Sequence, residues 1–240
     1  MTVNLSHELR TPLNGIICSL QLILDGSVEE PQEQLSFIQD AYSSALHLFK
    51  IVKDLLDIAQ IAAGKMELAL DAIRLDELLI HVQKLTQAKV EQKQLSFSIN
   101  QPETYKDIIV YGNYQRLLQV ILNLVGNAIK FTDVGGLTIN LEIIKQPLIF
   151  RDQRFPGLVK FYIIDTGIGM PLEEQDALLS SINQADVYCN CKNGDSGLGL
   201  SISQKLVELM GGTMNFSSPG KDLGFTVNFT VPLYFCSQLF

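Results

Sequence analysis

Apolar residues recur at intervals of three and four along the first quarter of the chain. This spacing places one side chain per turn on the same face of an α-helix. The pattern is interrupted at Asp25-Gly26-Ser27 and resumes after Pro31. The sequence therefore predicts an antiparallel helical hairpin whose second helix covers about residues 33–66. The two predicted apolar seams are Leu9, Leu13, Ile16, Leu20 and Ile23, then Leu35, Ile38, Tyr42, Ala45, Phe49, Val52, Leu56, Ala59, Ala63 and Met66.

Seams this wide cannot be buried by a single hairpin. Pairing with a second copy would form a four-helix bundle, so we expect a homodimer. The alternative is a bundle completed by helices further along the same chain, and the mixed pattern after Gly64 favours the homodimer. The first helix has about 25 residues before the turn and the second about 34, so we also expect the first helix to begin upstream of residue 1.

After Gly64 helical spacing alternates with strand spacing. Strands mixed with helices on one face predict an α/β sandwich as a second domain. Residues 146–156 are expected to form a loop or a hairpin between strands. Helices are predicted at residues 75–90, 113–131, 171–179 and 198–210, and strands at 95–99, 108–111, 137–144, 159–165, 213–217 and 225–231.

The composition of the chain limits where the protein is expected to be found and which partners it is expected to bind. The 240 residues are 47% apolar, which is ample for a buried core. No apolar stretch reaches the roughly 18 to 20 residues that span a bilayer, and no targeting segment opens the chain, so we expect a soluble portion in the cytoplasm whether or not a longer protein is anchored. A net charge of −8 argues against nucleic acid or an anionic membrane as the main partner. The four cysteines lack zinc-site spacing and are interpreted as reduced thiols.

A nucleophile and an acid stand side by side on the first predicted helix, at His7 and Glu8. The carboxylate of Glu8 can hold one ring nitrogen of His7 and leave the other nucleophilic. Thr11 lies one turn later, where its hydroxyl can orient a water, and Pro12 removes a backbone donor and loosens the helix. A bare His-Glu pair is more often an ordinary helical surface pair, so the assignment requires support from motifs elsewhere in the chain.

The predicted helix 113–131 carries a polar stripe opposite its apolar face. The stripe consists of Arg116, Gln119, Asn123, Asn127 and Lys130, at steps of three and four. Asparagine carbonyls can coordinate Mg²⁺, and a lysine ammonium can offset phosphate charge. The alternative is a solvated helix face, although asparagine gains little there because it is a mediocre helix former.

Two glycine-rich segments add candidate nucleotide contacts. Asp165-Thr166-Gly167-Ile168-Gly169 comes directly after an apolar strand, where a carboxylate can accept from an adenine amino group and glycines let a flat base approach the backbone. The run from Gly194 to Leu200 opens into a helix, whose unpaired backbone donors favour phosphate. Each segment alone also fits an ordinary turn. Neither is a lysine-bearing phosphate loop or a full dinucleotide fingerprint.

The order of these segments along nearly the whole chain resembles the successive boxes of sensor histidine kinases. The boxes are His7-Glu8-Leu9-Arg10-Thr11-Pro12, Asn123-Leu124-Val125-Gly126-Asn127-Ala128-Ile129-Lys130-Phe131, Asp165-Thr166-Gly167-Ile168-Gly169 and Gly194-Asp195-Ser196-Gly197-Leu198-Gly199-Leu200. The first box continues as Leu13-Asn14-Gly15-Ile16, a version that is common among hybrid kinases. The resemblance implies a dimerisation and phosphoacceptor hairpin over residues 1–68, a catalytic domain of the gyrase-type ATP-binding fold over 69–235, and a tail over 236–240.

The resemblance also implies a role for each matching residue. His7 would accept the γ-phosphoryl group of ATP, Glu8 would be its acid-base partner, and Thr11 would help to dephosphorylate the partner. The nucleotide site would use Asn123 and Asn127 for Mg²⁺, Lys130 for phosphate, Asp165 for adenine, Gly167, Gly169, Gly197 and Gly199 for the pocket and its lid, and Thr226 for the pocket floor. The partner implied is the receiver domain of a response regulator, which would accept the phosphoryl group on an aspartate.

Three positions depart from the family pattern. Residues 178–184 keep Gln184 but have no phenylalanine, Asn113 stands where an aspartate is common, and Asp195 puts a negative charge into the expected lid. The sequence therefore predicts an ATP-dependent protein histidine kinase. The departures leave open a non-catalytic signalling module that modulates a partner kinase or regulator. A gyrase-like ATPase without histidine transfer is disfavoured by the box around His7.

Overall fold

The computed structural model describes residues 2–102, 107–175 and 198–236, which divide into two compact units. The first unit ends at Met66 and the second begins at Glu67. The first is a pair of helices, and the second combines helices with a sheet. The predicted fold class, a helical hairpin followed by an α/β sandwich, is confirmed.

The hairpin consists of α1 (Thr2–Leu24) and α2 (Pro31–Ala62). Pro31 opens α2, where its fixed φ suits the first helical position and its missing N–H costs nothing. The helix ends four residues earlier than predicted. Gly64 adopts a φ of +63°, which favours glycine, and the amides of residues 63–65 bond back to α2 carbonyls. Ala63 and Met66, placed in the helical seam by the sequence, lie beyond α2.

The two helices pack closely through one face of α2. A Cβ added at Gly15 would stand 3.0 Å from the Ser44 Oγ, and Ala41 and Ile51 are buried. The predicted α2 seam is a different face, which the single chain leaves open to solvent. Its large apolar side chains are 43–70% exposed, and they are Leu35, Ile38, Tyr42, Phe49, Val52 and Leu56.

The second unit is built on a seven-stranded sheet. The strands are β1 (Asp71–Arg74), β2 (Ser96–Asn100), β3 (Ile109–Gly112), β4 (Gly136–Ile144), β7 (Gly157–Asp165), β8 (Met214–Ser217) and β9 (Phe225–Phe235), and the helices are α3 (Leu75–Gln92), α4 (Tyr114–Phe131) and α5 (Leu198–Leu209). The strands run in the order β1-β3-β9-β7-β4-β2, with β8 paired to β9, and only β2 and β4 are parallel neighbours among the described strands.

One face of the sheet is apolar and packs under the helices, as the alternation of buried residues shows. At its centre the rings of Phe161 and Phe229 stack with centroids 4.5 Å apart, and both residues have no exposed surface. The apolar side of α4 is equally enclosed, with Leu117, Val120 and Ile121 at 0% exposure. This packing fixes α4, and with it the polar stripe, against the sheet.

Most of the predicted helices and strands of the second unit are present, and they begin within two residues of their predicted starts. Residues 146–156 contain a hairpin of β5 (Leu148–Phe150) and β6 (Gln153–Phe155), whose turn residues Arg151 and Asp152 both have positive φ. β1 was missed, because Ile73 is its only buried residue and gives no alternation to detect. Only residues 172–175 of the predicted helix 171–179 are described as helical. No helix in the described ranges is long and apolar enough to cross a bilayer.

Candidate functional site

The polar stripe of α4 faces the beginning of α5. The Asn123 Nδ2 lies 3.5 Å from the Ser203 Oγ, and the Ser203 hydroxyl donates to the Gly199 carbonyl at 2.7 Å. Because that hydroxyl already donates its proton to Gly199, it accepts from Asn123, which fixes the amide orientation. The Asn123 Oδ1 is therefore the atom left for a cation.

Asn127 lies one turn further along the same stripe and is half-buried. In the part of the chain that the structure describes, no hydrogen bond occupies its amide. A half-buried amide without an internal partner fits a group that binds a ligand. The exposed Lys130 comes next, with its Nζ 5.2 Å from the centre of the Phe131 ring. The donor set of two asparagine oxygens suits Mg²⁺, which usually keeps several waters.

Asp165 ends β7 and is 8% exposed. Its Oδ1 accepts from the amides of Gly167 at 2.9 Å and Phe225 at 3.2 Å. Burial raises the pKa of the Asp165 carboxyl above its ordinary value, and the two amide donors act in the opposite direction. Since both donors use Oδ1, the carboxyl is locked in orientation while Oδ2 is left for a ligand amino group.

Glycines let the loop after Asp165 lie directly against neighbouring backbone. A Cβ at Gly167 would collide with the Phe131 carbonyl at the end of α4, to which the amide of Ile168 donates at 3.1 Å. Gly169 has a φ of +57°, and a Cβ there would collide with the Gly220 carbonyl. The two predicted pocket glycines therefore bring the Asp165 loop into contact with α4 and with the turn before β9.

A pair of side chains that sequence reasoning missed braces this loop. The Gln175 Nε2 donates to the carbonyls of Met170 and Ser218 at 3.0 and 2.8 Å, and its Oε1 accepts from the Ser218 amide at 3.2 Å. The Ser218 Oγ accepts from the Met170 amide at 3.0 Å and donates to the Gly224 carbonyl at 2.7 Å. A polar residue 43 positions from its partner gives no signal in local sequence.

Thr226 is not brought to this site. It pairs with Ile164 on β7 and Ser217 on β8, whereas Asp165 pairs with Phe225. Successive residues of a strand point to opposite faces, so Thr226 lies on the other face of the sheet from Asp165. The register argues against its predicted place in the pocket floor, and Phe225 is the β9 residue beside the carboxylate.

The other predicted site residues belong to the hairpin or lie outside the described residues. His7 and Thr11 are exposed on α1, Glu8 is half-buried, and the Thr11 hydroxyl donates to the His7 carbonyl at 3.1 Å. α1 continues through Pro12 as one helix. Gly197, Gln184 and Asp195 lie outside the described residues, as do Cys189 and Cys191. Cys18 and Cys236 form no disulfide among the residues that the structure describes.

Two family models match the chain. The model described as the His Kinase A (phospho-acceptor) domain covers residues 1–64. The model described as the histidine kinase-, DNA gyrase B- and HSP90-like ATPase covers residues 112–234 and includes α4, the Asp165 loop and α5. The two matched ranges together include the candidate residues of the hairpin and those of the nucleotide site.

Known proteins with related sequences are larger than this chain. The signal transduction histidine-protein kinase BarA of Escherichia coli K12 is 36% identical over 94% of this chain and 24% of its own length. The sensory/regulatory protein RpfC of Xanthomonas campestris is 33% identical over 89% of this chain and 28% of its own length. The chain thus spans about a quarter of the length of the curated relatives it matches.

Solved structures share the fold over almost the whole chain. Full-length ShkA, crystallised in complex with AMPPNP, is 27% identical with a TM-score of 0.67, over 96% of this chain and 45% of that one. The Acinetobacter baumannii histidine kinase AdeS has a TM-score of 0.71 at 21% identity, over 95% of this chain and 98% of that one. At that identity AdeS shows the fold alone.

Proposed function

This chain belongs to the histidine kinases, and from that premise we propose that it phosphorylates itself on His7 from ATP and passes the phosphoryl group to an aspartate of a response-regulator receiver domain. Residues 1–68 would form the dimerisation and phosphoacceptor domain, residues 69–235 the catalytic domain, and residues 236–240 a tail. One set of contacts supports the proposal: on the second unit Asn123 lies beside Gly199, and the loop after Asp165 contacts the end of α4 at Phe131, while the first unit presents an exposed His7.

In the proposed nucleotide site, the Asp165 Oδ2 accepts a hydrogen bond from the adenine amino group. The fixed orientation of the carboxyl supports this role, because two backbone amides already occupy its other oxygen. Asn123 and Asn127 would hold Mg²⁺, which supplies charge neutralisation at the phosphates. Lys130 would add a positive charge at the end of the same stripe.

The proposed transfer breaks the bond between the γ-phosphorus and the bridging oxygen of ATP, and it forms a bond to one ring nitrogen of His7. ADP leaves with the bridging oxygen, and the carboxylate of Glu8 takes the proton of the other ring nitrogen. The exposure of His7 supports its access to a nucleotide carried by the other domain. In the second step, the phosphoryl group leaves the nitrogen for a receiver carboxylate.

Thr11 would take part in the phosphatase activity, which removes the phosphoryl group from the receiver domain. Its hydroxyl donates to the His7 carbonyl, so its oxygen is left with lone pairs only. In that state Thr11 can accept a hydrogen bond from a water and orient it, but it cannot also donate to one.

The proposed kinase would act as a homodimer. The exposed apolar face of α2, with Phe49 at 70% and Tyr42 at 66% exposure, is the surface that a second hairpin would cover in a four-helix bundle. The match to the phosphoacceptor family over residues 1–64 supports the same assembly.

The experiment that tests the proposed function is incubation of the purified chain with Mg²⁺ and γ-labelled ATP. We expect a label that is lost in acid and retained in alkali, as a phosphohistidine requires. His7→Gln removes the label, and His47→Gln, which changes another exposed histidine of the same hairpin, retains it. An acid-stable label would contradict the proposal, as would equal labelling of both variants. A wild-type chain without label would favour the non-catalytic signalling module.

A further inference from the structure

The C-terminus of α4 is bound by groups from outside the helix. The last carbonyls of a helix have no partner within it, so other parts of the chain or water must supply the donors. The Lys93 Nζ donates to the carbonyls of Lys130 and Thr132 at 3.0 and 3.1 Å. Between these two, the Phe131 carbonyl accepts from the Ile168 amide at 3.1 Å. Three successive carbonyls at the end of α4 are therefore held from two different directions.

Lys93 directs its ammonium away from its own helix. It follows α3 directly, and its backbone amide donates to the Lys89 carbonyl at 3.2 Å. A lysine at this position can bond the last carbonyls of its own helix, but the Lys93 Nζ bonds carbonyls 37 and 39 residues further along the chain. Its third contact is the Asp133 Oδ1 at 3.3 Å, so each of the three ammonium protons has an acceptor. The C-terminus of α4 thereby gains a positive charge, which the helix dipole favours there.

The two carbonyl contacts, rather than the ion pair, are the specific part of this arrangement. The side chains of Lys93 and Asp133 are 36% and 84% exposed, and water screens the attraction between exposed charges. The carbonyls, in contrast, belong to the backbone and have no freedom to turn toward another donor. A side chain without donors at position 93 would leave both carbonyls to water and would loosen the end of α4.

The Asp165 loop meets the same end of α4 without any slack. A Cβ at Gly167 would collide with the Phe131 carbonyl, and the Ile168 amide donates to that carbonyl. The Gly167 amide in turn donates to the Asp165 Oδ1 at 2.9 Å. A displacement of the Phe131 carbonyl would therefore either lengthen the Ile168 bond or press on Gly167. Either change acts on the residue whose amide orients the Asp165 carboxyl.

We propose that Lys93 is a positioning residue of the nucleotide site, because its ammonium holds the end of α4 at the place where the Asp165 loop contacts it. The inference rests on the proposed binding of adenine at Asp165. The loop also has support from its other side, where the Gly167 carbonyl accepts from the Gly224 amide at 3.1 Å. Loss of the Lys93 ammonium should therefore weaken nucleotide binding without abolishing it.

Four variants of the full chain separate this role from a general effect of charge. Lys93→Met keeps a long side chain and removes its donors, whereas Lys93→Arg keeps both the positive charge and the donors. Lys89→Met changes an exposed lysine one turn earlier on α3 and is the matched control. Asp133→Asn keeps an oxygen near the ammonium and removes only the charge of the ion pair.

Two readouts distinguish positioning from stability. Calorimetry gives the affinity for a non-hydrolysable ATP analogue. Hydrogen exchange, measured without nucleotide, gives the opening of the Ile168 amide, which is bonded to the end of α4. The Gly212 amide donates to the Val207 carbonyl at 2.9 Å at the end of α5 and serves as the reference, because a general loss of stability would speed the exchange of both amides.

For Lys93→Met we expect about three- to tenfold weaker binding of the analogue and a similar acceleration of Ile168 exchange, with Gly212 exchange within about twofold of wild type. The other three variants should bind within about twofold of wild type. Wild-type affinity in Lys93→Met, or equal acceleration of both amides, would overturn the proposal, because Lys93 would then only stabilise the fold. If the wild-type chain binds no analogue, the proposed nucleotide site fails, and the exchange of Ile168 alone decides whether Lys93 holds the loop.

Discussion

α2 and α4 both carry apolar residues at helical spacing, yet the two helices differ in what covers those residues. In α4 the apolar side chains are enclosed by the sheet and the neighbouring helices, with Leu117 and Val120 at 0% exposure. In α2 one face packs on α1, and a second face leaves Phe49 and Tyr42 at 70% and 66% exposure. The same sequence pattern therefore has two structural outcomes in one chain.

The difference separates a unit that completes its own core from a unit that does not. The second unit fully buries several large side chains, among them Phe155, Phe161 and Phe229. The hairpin, in contrast, has more apolar surface than two helices can bury, so it requires another surface. The proposed kinase thus combines a self-contained nucleotide-binding unit with an acceptor unit that depends on a second copy.

Truncation of a buried phenylalanine should give the largest effect on stability, and truncation of an exposed phenylalanine is its matched comparison. We expect Phe161→Ala to lower the free energy of unfolding of the second unit by about 3–5 kcal/mol, because it leaves a cavity beside Phe229. Phe49→Ala, the same change at an exposed site, should cost less than about 0.5 kcal/mol in the monomer. Urea denaturation at low chain concentration measures both, and equal losses would remove the contrast between the two units.

A charge on the exposed face of α2 should act on assembly rather than on folding. We expect Phe49→Glu to weaken the dimer by about 2 kcal/mol or more, roughly a 30-fold rise in the dissociation constant, because a carboxylate would be buried between copies. Gln39→Glu adds the same charge at an exposed polar position and serves as the control. Sedimentation over a concentration series decides the point. A wild-type chain that stays monomeric at high micromolar concentration would contradict the four-helix bundle.

Asp165→Asn should separate ligand affinity from stability within the second unit. The amide keeps an oxygen for the Gly167 and Phe225 donors but cannot accept from adenine at its other atom, so we expect about 1–3 kcal/mol weaker nucleotide binding by calorimetry. Because burial raises the pKa of Asp165, its ionisation costs folding stability as the pH rises through the raised pKa. The variant should therefore be at least as stable as wild type at neutral pH, and that advantage should disappear below pH about 4. Wild-type nucleotide affinity in the variant would rule out the adenine assignment.

The smallest effect is expected for the brace of the nucleotide loop. Gln175→Ala removes three hydrogen bonds that join Met170 to Ser218, and we expect nucleotide binding to weaken by about 0.5–1.5 kcal/mol. Gln204→Ala, which shortens a half-buried glutamine on α5, is the matched control. The same calorimetric titration applies to both. A loss of equal size in the control would show that the brace has no specific role.

The sequence predicted the elements whose pattern is local. The stripe and the apolar face of α4 follow from helical period alone, and the helix begins one residue from its predicted start. The α2 seam was detected and assigned to contact with a second copy, whereas the face of α2 that packs on α1 was not predicted, because one period cannot tell which of two apolar faces packs within the chain. β1, with a single buried residue, gave no pattern at all.

Candidate site residues were predictable from their chemistry, whereas their contacts were not. The proximity of Asn123 to Ser203 and the brace between Gln175 and Ser218 join residues 80 and 43 positions apart. Thr226 shows the limit of a motif match, since a shift of one residue in strand register exchanges the two faces of a sheet. Asn113 looked like a departure from the family, and only the structure gives the departure a physical reason, because its Nδ2 donates to the Ala69 carbonyl and an aspartate could not.

Calorimetry with a non-hydrolysable ATP analogue on His7→Gln, beside the labelling assay on the same sample, tests the central claim most directly. The acceptor is proposed to lie on one unit and the nucleotide site on the other. We predict nucleotide affinity within about twofold of wild type, well under 1 kcal/mol, together with complete loss of the acid-labile label. A label that persists in His7→Gln, or a nucleotide affinity that falls tenfold with it, would contradict the division of the kinase into these two units.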